Sequence, residues 1–471
     1  MKKTKIIATM GPASIDKKIL KEMILEGVNV CRLNFSHGSH EVHKETIELI
    51  REINDELHSN VAILGDLQGP KIRTGKMNEN VELIQGSSVT IKTSEIVGTA
   101  ESFSINYSQL PQDVQKGERI LLDDGKLTLE IESTNGKDEI KAKVIFGGVL
   151  TSNKGVNLPN TKISMPCLTE KDLVDLDFAI EHKLDWIGLS FVRSSEDIIE
   201  LKTIIAKNNA NAKVIAKIEK PEALEDIDAI INETDAIMVA RGDLGVEVPF
   251  QNVPLIQKML INKSVKRAKP VIVATQMMES MIVSSSPTRA EVNDVANAVL
   301  DGADAVMLSG ETSVGAYPVE VIKAMANIVK EMETFDGIYS KEEFPERNKE
   351  RYITDSICFN ACRLAKRVDA KAILTMSFSG YTAYKIASQR PNSLIYVFTS
   401  NKKILSQLSL IWGVQGFYYN KRVSTDDTIA DIKRILKAKK LVQKDDMVIN
   451  IASMPIEALG NSNMLKLSKV E

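Results

Sequence analysis

The sequence is poor in cysteine, in long apolar runs and in net charge. Four cysteines in 471 residues are too few for a disulfide framework and suit a reducing compartment. No apolar run could span a membrane, and the first one ends at Gly11-Pro12, too early for a signal peptide. The 60 basic and 63 acidic residues nearly cancel, which argues against nucleic-acid binding driven by bulk charge. We therefore predict a cytoplasmic protein with neither a membrane nor a nucleic acid as partner.

Histidine is also scarce, with five in the chain. His37, His40 and His43 form an H-x-x-H-x-x-H pattern at the start of a predicted helix. A solvated face is favoured there over a zinc site, because zinc needs defined ligand geometry. Cys358 and Cys362 stand at i and i+4, a spacing that favours a buried helix face over half of a metal site.

The sequence does contain a regular alternation of short β-branched apolar runs with amphipathic helical patterns. At 471 residues the chain is too long for one ordinary core, so two or three domains are expected. The first eight runs are almost wholly apolar, as parallel strands buried on both faces are. These predicted strands are 5–9, 28–35, 61–66, 184–191, 213–219, 235–243, 269–276 and 304–311.

Eight strand–helix units predict an α/β fold, a closed (β/α)8 TIM barrel with its active site at the C-terminal strand ends. The alternative is a doubly wound open sheet. The first turn of such a sheet usually carries G-x-G-x-x-G, whereas this chain has TMGPAS at 9–14. The barrel is therefore the favoured prediction.

Two further segments interrupt the alternation of strands and helices. After the third strand, about a hundred residues with alternating patterns and turns predict an inserted small β-barrel domain. After the eighth unit, a polar stretch predicts a linker, and a second strand–helix set predicts a C-terminal α/β domain. The strands of that set are expected at 372–377, 394–399 and 446–453. The predicted limits are 1–69 and 167–335 for the barrel, 70–166 for the inserted β domain, 336–350 for the linker and 351–471 for the C-terminal domain.

Polar residues follow or end the predicted barrel strands, where they would converge. Arg32, Asn34 and Ser36 alternate along the second strand and so face one side, and Lys217 and Glu219 do the same on the fifth. The other strands contribute Asp66, Arg73, Asp243, Thr275, Ser309 and Glu311. So many charges from different strands predict a catalytic rim, although each alone could cap a helix or pair across the rim.

The residue types at this rim suit phosphoryl transfer. Glu219 and Asp243 offer carboxylate oxygens of the kind that anchor Mg²⁺, which leaves its other positions to water and phosphate. Arginine and lysine side chains nearby can hold phosphoryl oxygens. A histidine beside a second base, the usual hydrolase pattern, is missing from the strand ends. Phosphoryl transfer needs mainly positioning and charge neutralisation.

Longer motifs follow one another along the chain: CRLNFSHGSHEVH, GVNLPNTKISMPCLTEKD, AKIEKPEAL, MVARGDLGVEVP and ATQMMESMIVSSSPTRAEVNDVANAVLDGADAVMLSGET. Together they resemble the pyruvate kinase family over essentially the whole chain from Lys5. The resemblance implies a barrel with a β lid, a regulatory α/β domain and a homotetramer. It also implies phosphoryl transfer from phosphoenolpyruvate to ADP, giving pyruvate and ATP. Mg²⁺, for which Mn²⁺ substitutes, would be the cofactor, held by Glu219 and Asp243.

The resemblance implies further roles residue by residue. Lys217 would stabilise the phosphoryl group in flight, and Arg32 would take the substrate phosphate. Thr275 would bind substrate and help to deliver the proton that turns the enol into pyruvate. The backbone at Gly242 with Asp243 would meet the substrate carboxylate. The expected nucleotide contacts are Asn34, His37, Arg73 and Lys154.

The sequence departs from the commoner family pattern Asp-Thr-Lys-Gly-Pro-Glu-Ile-Arg, whose members bind K⁺ through Asn, Ser, Asp and Thr oxygens. Asn34, Ser36 and Asp66 are kept, but Leu67 replaces the threonine and Lys71 replaces the glutamate. Leu67 removes a ligand oxygen, and the Lys71 ammonium can act as an internal cation in place of K⁺. We therefore predict a K⁺-independent enzyme. The alternative is that Lys71 points outward at the lid hinge and K⁺ still binds weakly.

A possible effector loop lies in the C-terminal domain, where TMSFSGYTA joins a predicted strand to a helix. It suits a phosphate cradle at a helix N-terminus and equally an ordinary N-cap. Sugar-phosphate-regulated members of the family have Ser-Gly-x-Thr-Ala-Arg here, whereas this chain has Tyr384 where a basic residue often stands. The segment 453–467 is a loose version of the family's glycine-rich closing loop. The residues of the possible phosphate loop are Thr375, Ser377, Ser379, Gly380 and Thr382.

Two other functions compete with this interpretation. An aldolase or lyase barrel that handles phosphoenolpyruvate or oxaloacetate also holds Mg²⁺ with Glu and Asp at strands five and six. The inserted lid and Lys217 argue against a lyase, because a lyase has no nucleotide as a second substrate for a lid to enclose. A degenerate sensor of phosphometabolites would have lost rim residues. All five of the central ones are present: Arg32, Lys217, Glu219, Asp243 and Thr275.

Overall fold

A closed ring of eight parallel strands forms the largest part of the protein. The computed structural model describes residues 2–79, 81–159, 161–421, 423–454 and 461–471. Successive strands are neighbours in the ring, and the eighth returns to pair with the first. In chain order the barrel strands are Lys5–Thr9, Val30–Asn34, Ala62–Asp66, Trp186–Leu189, Lys213–Ile218, Ala236–Ala240, Val271–Ala274 and Ala305–Leu308. The ring confirms the predicted barrel and excludes the open sheet.

The barrel strands are buried on both faces, which is why they read as continuous apolar runs. Ile6 and Ala8 belong to the layer between strands and helices, whereas Ile7 between them belongs to the centre of the ring. Trp186 and Met238 fill the same central layer and are fully buried. Side-chain direction alternates along a strand, so each strand contributes to both layers.

Helices surround the ring. The main ones are Lys17–Glu26, His40–Leu57, Glu170–Glu181, Ser195–Lys207, Ile227–Glu233, Val253–Lys266, Arg289–Asp301 and Pro318–Met332. Thr169 and Thr288 begin two of them with capping boxes. Shorter helices are Pro221–Glu225, Arg241–Glu247 and Gly310–Ser313, with 3₁₀ turns at Phe250–Asn252 and Glu279–Ile282. In the described ranges, no helix is long and apolar enough to cross a membrane.

The sixth and eighth strands are shorter than the sequence predicted. Residues 241–243 were expected to extend the sixth strand, but they form the start of helix Arg241–Glu247. Residues 310 and 311 likewise belong to a short helix rather than to the eighth strand. Both runs lose their β-branched residues at this point and turn at the barrel rim, so their polar residues lie at helix starts.

The insert between the third strand and helix Glu170–Glu181 is built of β-strands, as predicted. Six strands form one sheet and the other two form a separate pair. The insert encloses its own apolar core, which includes Phe103, Leu129 and Val144. Its strands are Glu82–Leu83, Ser88–Lys92, Ser102–Ser104, Arg119–Leu122, Leu127–Thr134, Glu139–Phe146, Gly148–Val149 and Val156–Asn157, with a short helix at Leu110–Asp113.

The C-terminal region forms a five-stranded sheet flanked by helices. Its strands are Ala372–Met376, Leu394–Thr399, Val414–Tyr418, Met447–Ala452 and Met464–Lys469, and its helices are Tyr352–Arg367, Tyr381–Ser388, Lys403–Gln407 and Thr425–Ala438, with a 3₁₀ turn at Leu408–Leu410. The sequence did not predict the third and fifth of these strands. Both lie at sheet edges and are partly exposed, so neither carries a continuous apolar run.

Polar contacts join the C-terminal sheet to the end of the barrel where the strands begin. Arg390 is 2% exposed, and its guanidinium donates to both carboxylate oxygens of Asp304 at 3.0 Å. The ammonium of Lys5 donates to the carbonyl oxygen of Val414 at 2.7 Å. In the predicted linker, the turn Asp336–Ile338 precedes Ser340, whose amide donates to the carbonyl of Arg390. These contacts lie at the opposite end of the barrel from the predicted catalytic rim.

Candidate active site

Asp66, the last residue of the third strand, is the centre of an ion-pair network at the barrel mouth. It is 1% exposed, its Oδ2 accepts from Arg32 Nε at 2.7 Å, and its Oδ1 lies 3.2 Å from Lys217 Nζ. Burial disfavours the carboxylate, but Lys217 and Arg32 outweigh burial and hold the pKa of Asp66 below its usual value. Gly188 on the adjacent strand leaves the necessary space, since a Cβ there would lie 2.9 Å from Asp66 Oδ1.

Lys217 of the fifth strand is fixed by contacts on several sides. Its Nζ donates to Ser190 Oγ at 2.6 Å and lies 3.1 Å from Glu219 Oε1. The Ser190 hydroxyl in turn donates to the carbonyl oxygen of Leu67 at 2.7 Å. Burial favours the neutral amine, but Asp66 and Glu219 outweigh burial and raise the pKa of Lys217. Lys217 is therefore a permanent, oriented positive charge at the mouth.

Glu219 and Asp243 form a carboxylate pair that fits a divalent cation. Glu219 is 1% exposed, and its Oε2 accepts from the amide of Phe191 at 2.7 Å. Burial raises the pKa of Glu219, Lys217 lowers it, and the negative charge of Asp243 raises it again, with a net rise. A hard cation would relieve this repulsion while taking few protein oxygens. Among the described residues, no three His, Cys, Asp or Glu side chains are arranged to hold a metal ion, so such a cation would rely on other ligands as well.

Thr275 and Gly242 meet where the sixth and seventh strands end. The Gly242 amide donates to Thr275 Oγ1 at 2.7 Å, and that hydroxyl donates to the carbonyl of Ala274 at 2.6 Å. Thr275 has a φ of +68°, an uncommon conformation for a β-branched residue and one that concentrates at functional sites. Arg241 supports it by donating to the Thr275 carbonyl at 2.7 Å while pairing with both carboxylate oxygens of Asp294.

The predicted nucleotide contacts fall into a barrel group and an insert group. Asn34 Oδ1 accepts from the amide of Ser36 at 3.1 Å, and His37 next to it is exposed. In the insert, Arg73 donates to the carbonyl of Asn153 at 3.2 Å. There Lys154 Nζ lies 2.8 Å from Asp123 Oδ1. Side-chain contacts in the described residues link neither group to the other.

A cleft opens between the insert and the barrel mouth. Its lining residues are Pro70, Lys71, Ile72, Val156, Asn157, Ile163, Phe191, Arg193, Lys220 and Asp243. Lys71 is thus half-buried in the cleft wall together with the candidate cation ligand Asp243, rather than turned away from the mouth. In the described parts of the chain, Lys71 makes no ion pair with Asp66, whose cations are Arg32 and Lys217.

Comparison with known proteins now identifies the family. The family model "Pyruvate kinase, barrel domain" matches residues 1–322, and "Pyruvate kinase, alpha/beta domain" matches residues 355–468. The chain belongs to the pyruvate kinase family.

Individual relatives agree along the full length of the chain. A pyruvate kinase of Corynebacterium efficiens is 44% identical over 465 residues, which cover 98% of this chain and 97% of the relative. A pyruvate kinase of Staphylococcus aureus is 42% identical and covers 100% of this chain and 81% of the relative. The crystal structure of a pyruvate kinase from Cryptosporidium parvum superimposes with a TM-score of 0.94 at 36% identity, covering 100% and 96% of the two chains.

These comparisons confirm that the chain is an enzyme of the pyruvate kinase family, a kinase that transfers a phosphoryl group. The predicted barrel with its additional domains is confirmed as well. The structure brings Arg32, Lys217 and Glu219 into one network around Asp66. It places Thr275 beside Gly242 at the same mouth.

Sequence reasoning missed three residues that support this pyruvate kinase site. Ser190 accepts a hydrogen bond from Lys217 and so orients it. The backbone amide of Phe191, a residue with a φ of +55°, donates to Glu219. Arg241 donates to the carbonyl of Thr275. Ser190 and Phe191 directly follow the fourth strand. Their place at the rim is a signal that could have found them, because catalytic residues of such barrels gather at strand ends.

The possible effector loop lies in the C-terminal domain, away from the barrel mouth. Ser377 Oγ accepts from the Gly380 amide at 3.0 Å, and Ser379 Oγ accepts from the Tyr381 amide at 3.4 Å. Thr375 and Thr382 bond to each other through their hydroxyls at 2.9 Å, and Tyr384 packs toward the barrel. The two serine hydroxyls thus accept from amides at the start of helix Tyr381–Ser388, whose N-cap residue Gly380 has no side-chain cap hydrogen bond. In the predicted closing loop, residues 455–460 lie outside the described part of the chain.

The histidine and cysteine patterns have local partners. His40 Nε2 lies 2.7 Å from Asp175 Oδ1, and its ring stacks on Phe178. His43 Nε2 lies 3.0 Å from the carbonyl oxygen of His37. Cys358 and Cys362 are buried in the core of the C-terminal domain. Together, Cys358 and Cys362 form one buried helix face.

Proposed function

We propose that this member of the pyruvate kinase family transfers the phosphoryl group of phosphoenolpyruvate to ADP, giving pyruvate and ATP. The observation that carries the proposal is the network of Arg32, Lys217 and Glu219 around the buried Asp66. It sets two positive charges, those of Arg32 and Lys217, near the carboxylates of Glu219 and Asp243, and Asp243 lines the cleft. Phosphoryl transfer depends on such positioned charge, since negative charge spreads over the transferred oxygens in the transition state.

Each rim residue has a role in this reaction. Arg32 binds the phosphate of phosphoenolpyruvate, and Lys217 stabilises the phosphoryl group as its bond to the enol oxygen breaks and the bond to the ADP oxygen forms. Thr275 contacts the substrate and helps to deliver the proton that converts the enol to pyruvate. The Gly242 backbone amide, which donates to Thr275 in this structure, would donate to the substrate carboxylate instead.

Glu219 and Asp243 hold Mg²⁺, or Mn²⁺ in its place. When bound, the cation would neutralise negative charge on the phosphoryl group. Asn34, His37, Arg73 and Lys154 contact the nucleotide, the first two from the barrel and the last two from the insert. The insert acts as a lid whose closure excludes water, which otherwise competes with ADP as phosphoryl acceptor.

The enzyme works without K⁺. The sequence keeps Asn34, Ser36 and Asp66, the remnant of a monovalent-cation site. Leu67 brings an apolar side chain that is 1% exposed in place of a ligand oxygen. Lys71 supplies an internal cation from the cleft wall, and the charge of Asp66 is already balanced by its two protein cations. The alternative is weak K⁺ binding, with Lys71 acting only as a charge of the lid hinge.

The proposal extends to the larger organisation of the chain. The catalytic barrel comprises 1–69 and 167–335, the lid 70–166, the linker 336–350 and the regulatory domain 351–471. The enzyme is a cytoplasmic homotetramer. A phosphate-bearing effector, if one acts, binds at the loop that contains Ser377, Ser379 and Gly380.

Pyruvate formation tests the proposal. Purified protein is supplied with phosphoenolpyruvate, ADP and Mg²⁺ in a K⁺-free tetramethylammonium buffer, and again with KCl. Equal, high rates support both the activity and K⁺ independence, whereas a large rise with KCl refutes the latter alone. Turnover that does not need ADP would favour the lyase or aldolase alternative, and no turnover in either buffer would favour a phosphometabolite sensor.

A further inference from the structure

A buried ion pair formed by Lys220 and Glu247 is not explained by the reaction described above, although Lys220 lines the cleft together with Asp243. Lys220 follows Glu219 at the end of the fifth strand, and its Nζ donates to Glu247 Oε1 at 2.6 Å. Lys220 and Glu247 are 6% and 4% exposed. Glu247 stands one turn after Asp243 in the helix Arg241–Glu247, so the two side chains leave nearly the same helix face.

The lid takes part in the same contact. Asn157, the last residue of lid strand Val156–Asn157, donates through Nδ2 to Glu247 Oε1 at 2.9 Å. A Cβ at Gly125 of the lid would also lie 3.7 Å from a methyl group of Val246 in the same helix. The lid thus contacts the helix that carries Asp243 through Asn157, and Gly125 lies close to the same helix.

Charge gives this arrangement a consequence for cation binding. An unpaired Lys220 ammonium, buried next to Glu219, would oppose a divalent cation electrostatically and compete with it for the carboxylates. Glu247 balances that ammonium and draws it onto the helix one turn beyond Asp243.

We infer that Glu247 is a positioning residue for the divalent-cation site. Glu247 keeps Lys220 away from the carboxylates of Glu219 and Asp243, and Asn157 links the Lys220–Glu247 ion pair to the lid. The inference rests on the cation site of the proposed function. Glu247 need not touch the cation itself. Residues that orient metal ligands in this way typically change metal affinity by about 10- to 100-fold when they are replaced.

Binding of Mn²⁺ alone to the substrate-free full chain, followed by the EPR signal of free Mn²⁺, tests the inference. Glu247→Gln, which leaves the ammonium unbalanced, is expected to weaken Mn²⁺ binding by about 10-fold. Lys220→Met breaks the same ion pair but removes the competing charge, so it is expected to bind Mn²⁺ as tightly as the wild type or more tightly. A merely structural ion pair predicts equal losses in both variants.

Further variants separate charge from stability and keep the test open if Glu247→Gln folds poorly. The double variant E247Q/K220M leaves no buried charge unpaired and should recover most of the affinity lost in E247Q. Asn157→Ala should weaken Mn²⁺ binding in the same direction by a smaller factor. Asp304→Asn breaks the equally buried pair with Arg390 at the other end of the barrel and should leave Mn²⁺ affinity unchanged.

Turnover adds a second readout. Glu247→Gln should raise the Mg²⁺ concentration needed for half-maximal rate, with kcat largely recovered at saturating Mg²⁺. The inference would be overturned if Glu247→Gln bound Mn²⁺ with wild-type affinity. It would also be overturned if Lys220→Met lost as much Mn²⁺ affinity as Glu247→Gln, or if the wild type bound no Mn²⁺. A wild type that binds Mn²⁺ but does not turn over phosphoenolpyruvate and ADP would overturn the proposed function alone, and the order of the Mn²⁺ affinities would still decide the inference.

Discussion

The burial of Lys5, at the end of the barrel opposite the active site, predicts how the free energy of unfolding changes with pH. Its side chain is 7% exposed and its ammonium donates to the carbonyl of Val414. Burial lowers the pKa of Lys5 from 10.5 to about 8, with Glu333 and Asp304 opposing the shift. The unfolded chain therefore binds more protons than the folded one between pH 8 and 10.5, so the contribution of Lys5 to stability rises with pH in that window.

The size of the effect follows from the shift in pKa. Each unit of separation between folded and unfolded pKa is worth about 1.4 kcal/mol. A folded pKa near 8 then makes the free energy of unfolding rise by about 2 kcal/mol between roughly pH 7.5 and 9.5 because of Lys5 alone. Lys5→Met removes the titrating group, so the variant should lack this part of the rise.

Urea unfolding of the wild type and of Lys5→Met across this pH range measures the effect as a difference between two proteins. Titrations that the two proteins share largely cancel in that difference. Lys126→Met is a suitable control, since the hydrogen bond to Asp123 raises the pKa of this surface lysine above its usual 10.5, and its contribution to stability should therefore stay nearly constant over the same pH range. A difference between wild type and Lys5→Met that stays flat or falls from pH 7.5 to 9.5 would refute the assigned burial of the charged amine.

Three further predictions concern the site and the domain contact. Gly188→Ala should lower kcat by about 100-fold with little change in overall fold, because the added Cβ would displace the Asp66 carboxylate. Steady-state kinetics would measure kcat, and circular dichroism would check the fold. A normal kcat would contradict the prediction. The double variant L67T/K71E should make the rate rise with KCl by about 10-fold or more, measured against a wild type that does not respond. Arg390→Met leaves a buried carboxylate unpaired and should lower the free energy of unfolding by about 3–5 kcal/mol in urea titrations, with an unchanged value counting against it.

Much of the fold could be predicted from local pattern. The strand Lys5–Thr9 was predicted with its observed bounds, and the other barrel strands were found within a few residues, because strands buried on both faces have a strong apolar signal. The edge strands Val414–Tyr418 and Met464–Lys469 could not be found in this way. Their partly exposed residues carry a weak signal, and their place depends on which neighbour they pair with.

The candidate site was predictable as a set of residue types and less so as a set of contacts. The strand-end rule and the family motifs pointed to Arg32, Lys217 and Glu219. That Asp66 joins the two cations could not be derived, because the expectation for Asp66 was a monovalent-cation ligand. Arg241 was passed over because its support of Thr275 depends on a strained backbone that sequence does not display.

The sequence by itself determined the barrel, the β-rich insert and the chemical character of the rim, because these follow from periodicity, length and residue type. It also indicated the family, through long motifs that resemble those of its members. The tertiary structure alone decided which charges meet. Asn157 and Glu247 are 90 residues apart, yet they share a hydrogen bond because the lid returns over the barrel mouth. Lys71 likewise could have faced solvent or the cleft, and only the way the insert leaves the third strand set it in the cleft wall. Such contacts depend on closure of the ring and docking of the lid, which no local pattern encodes.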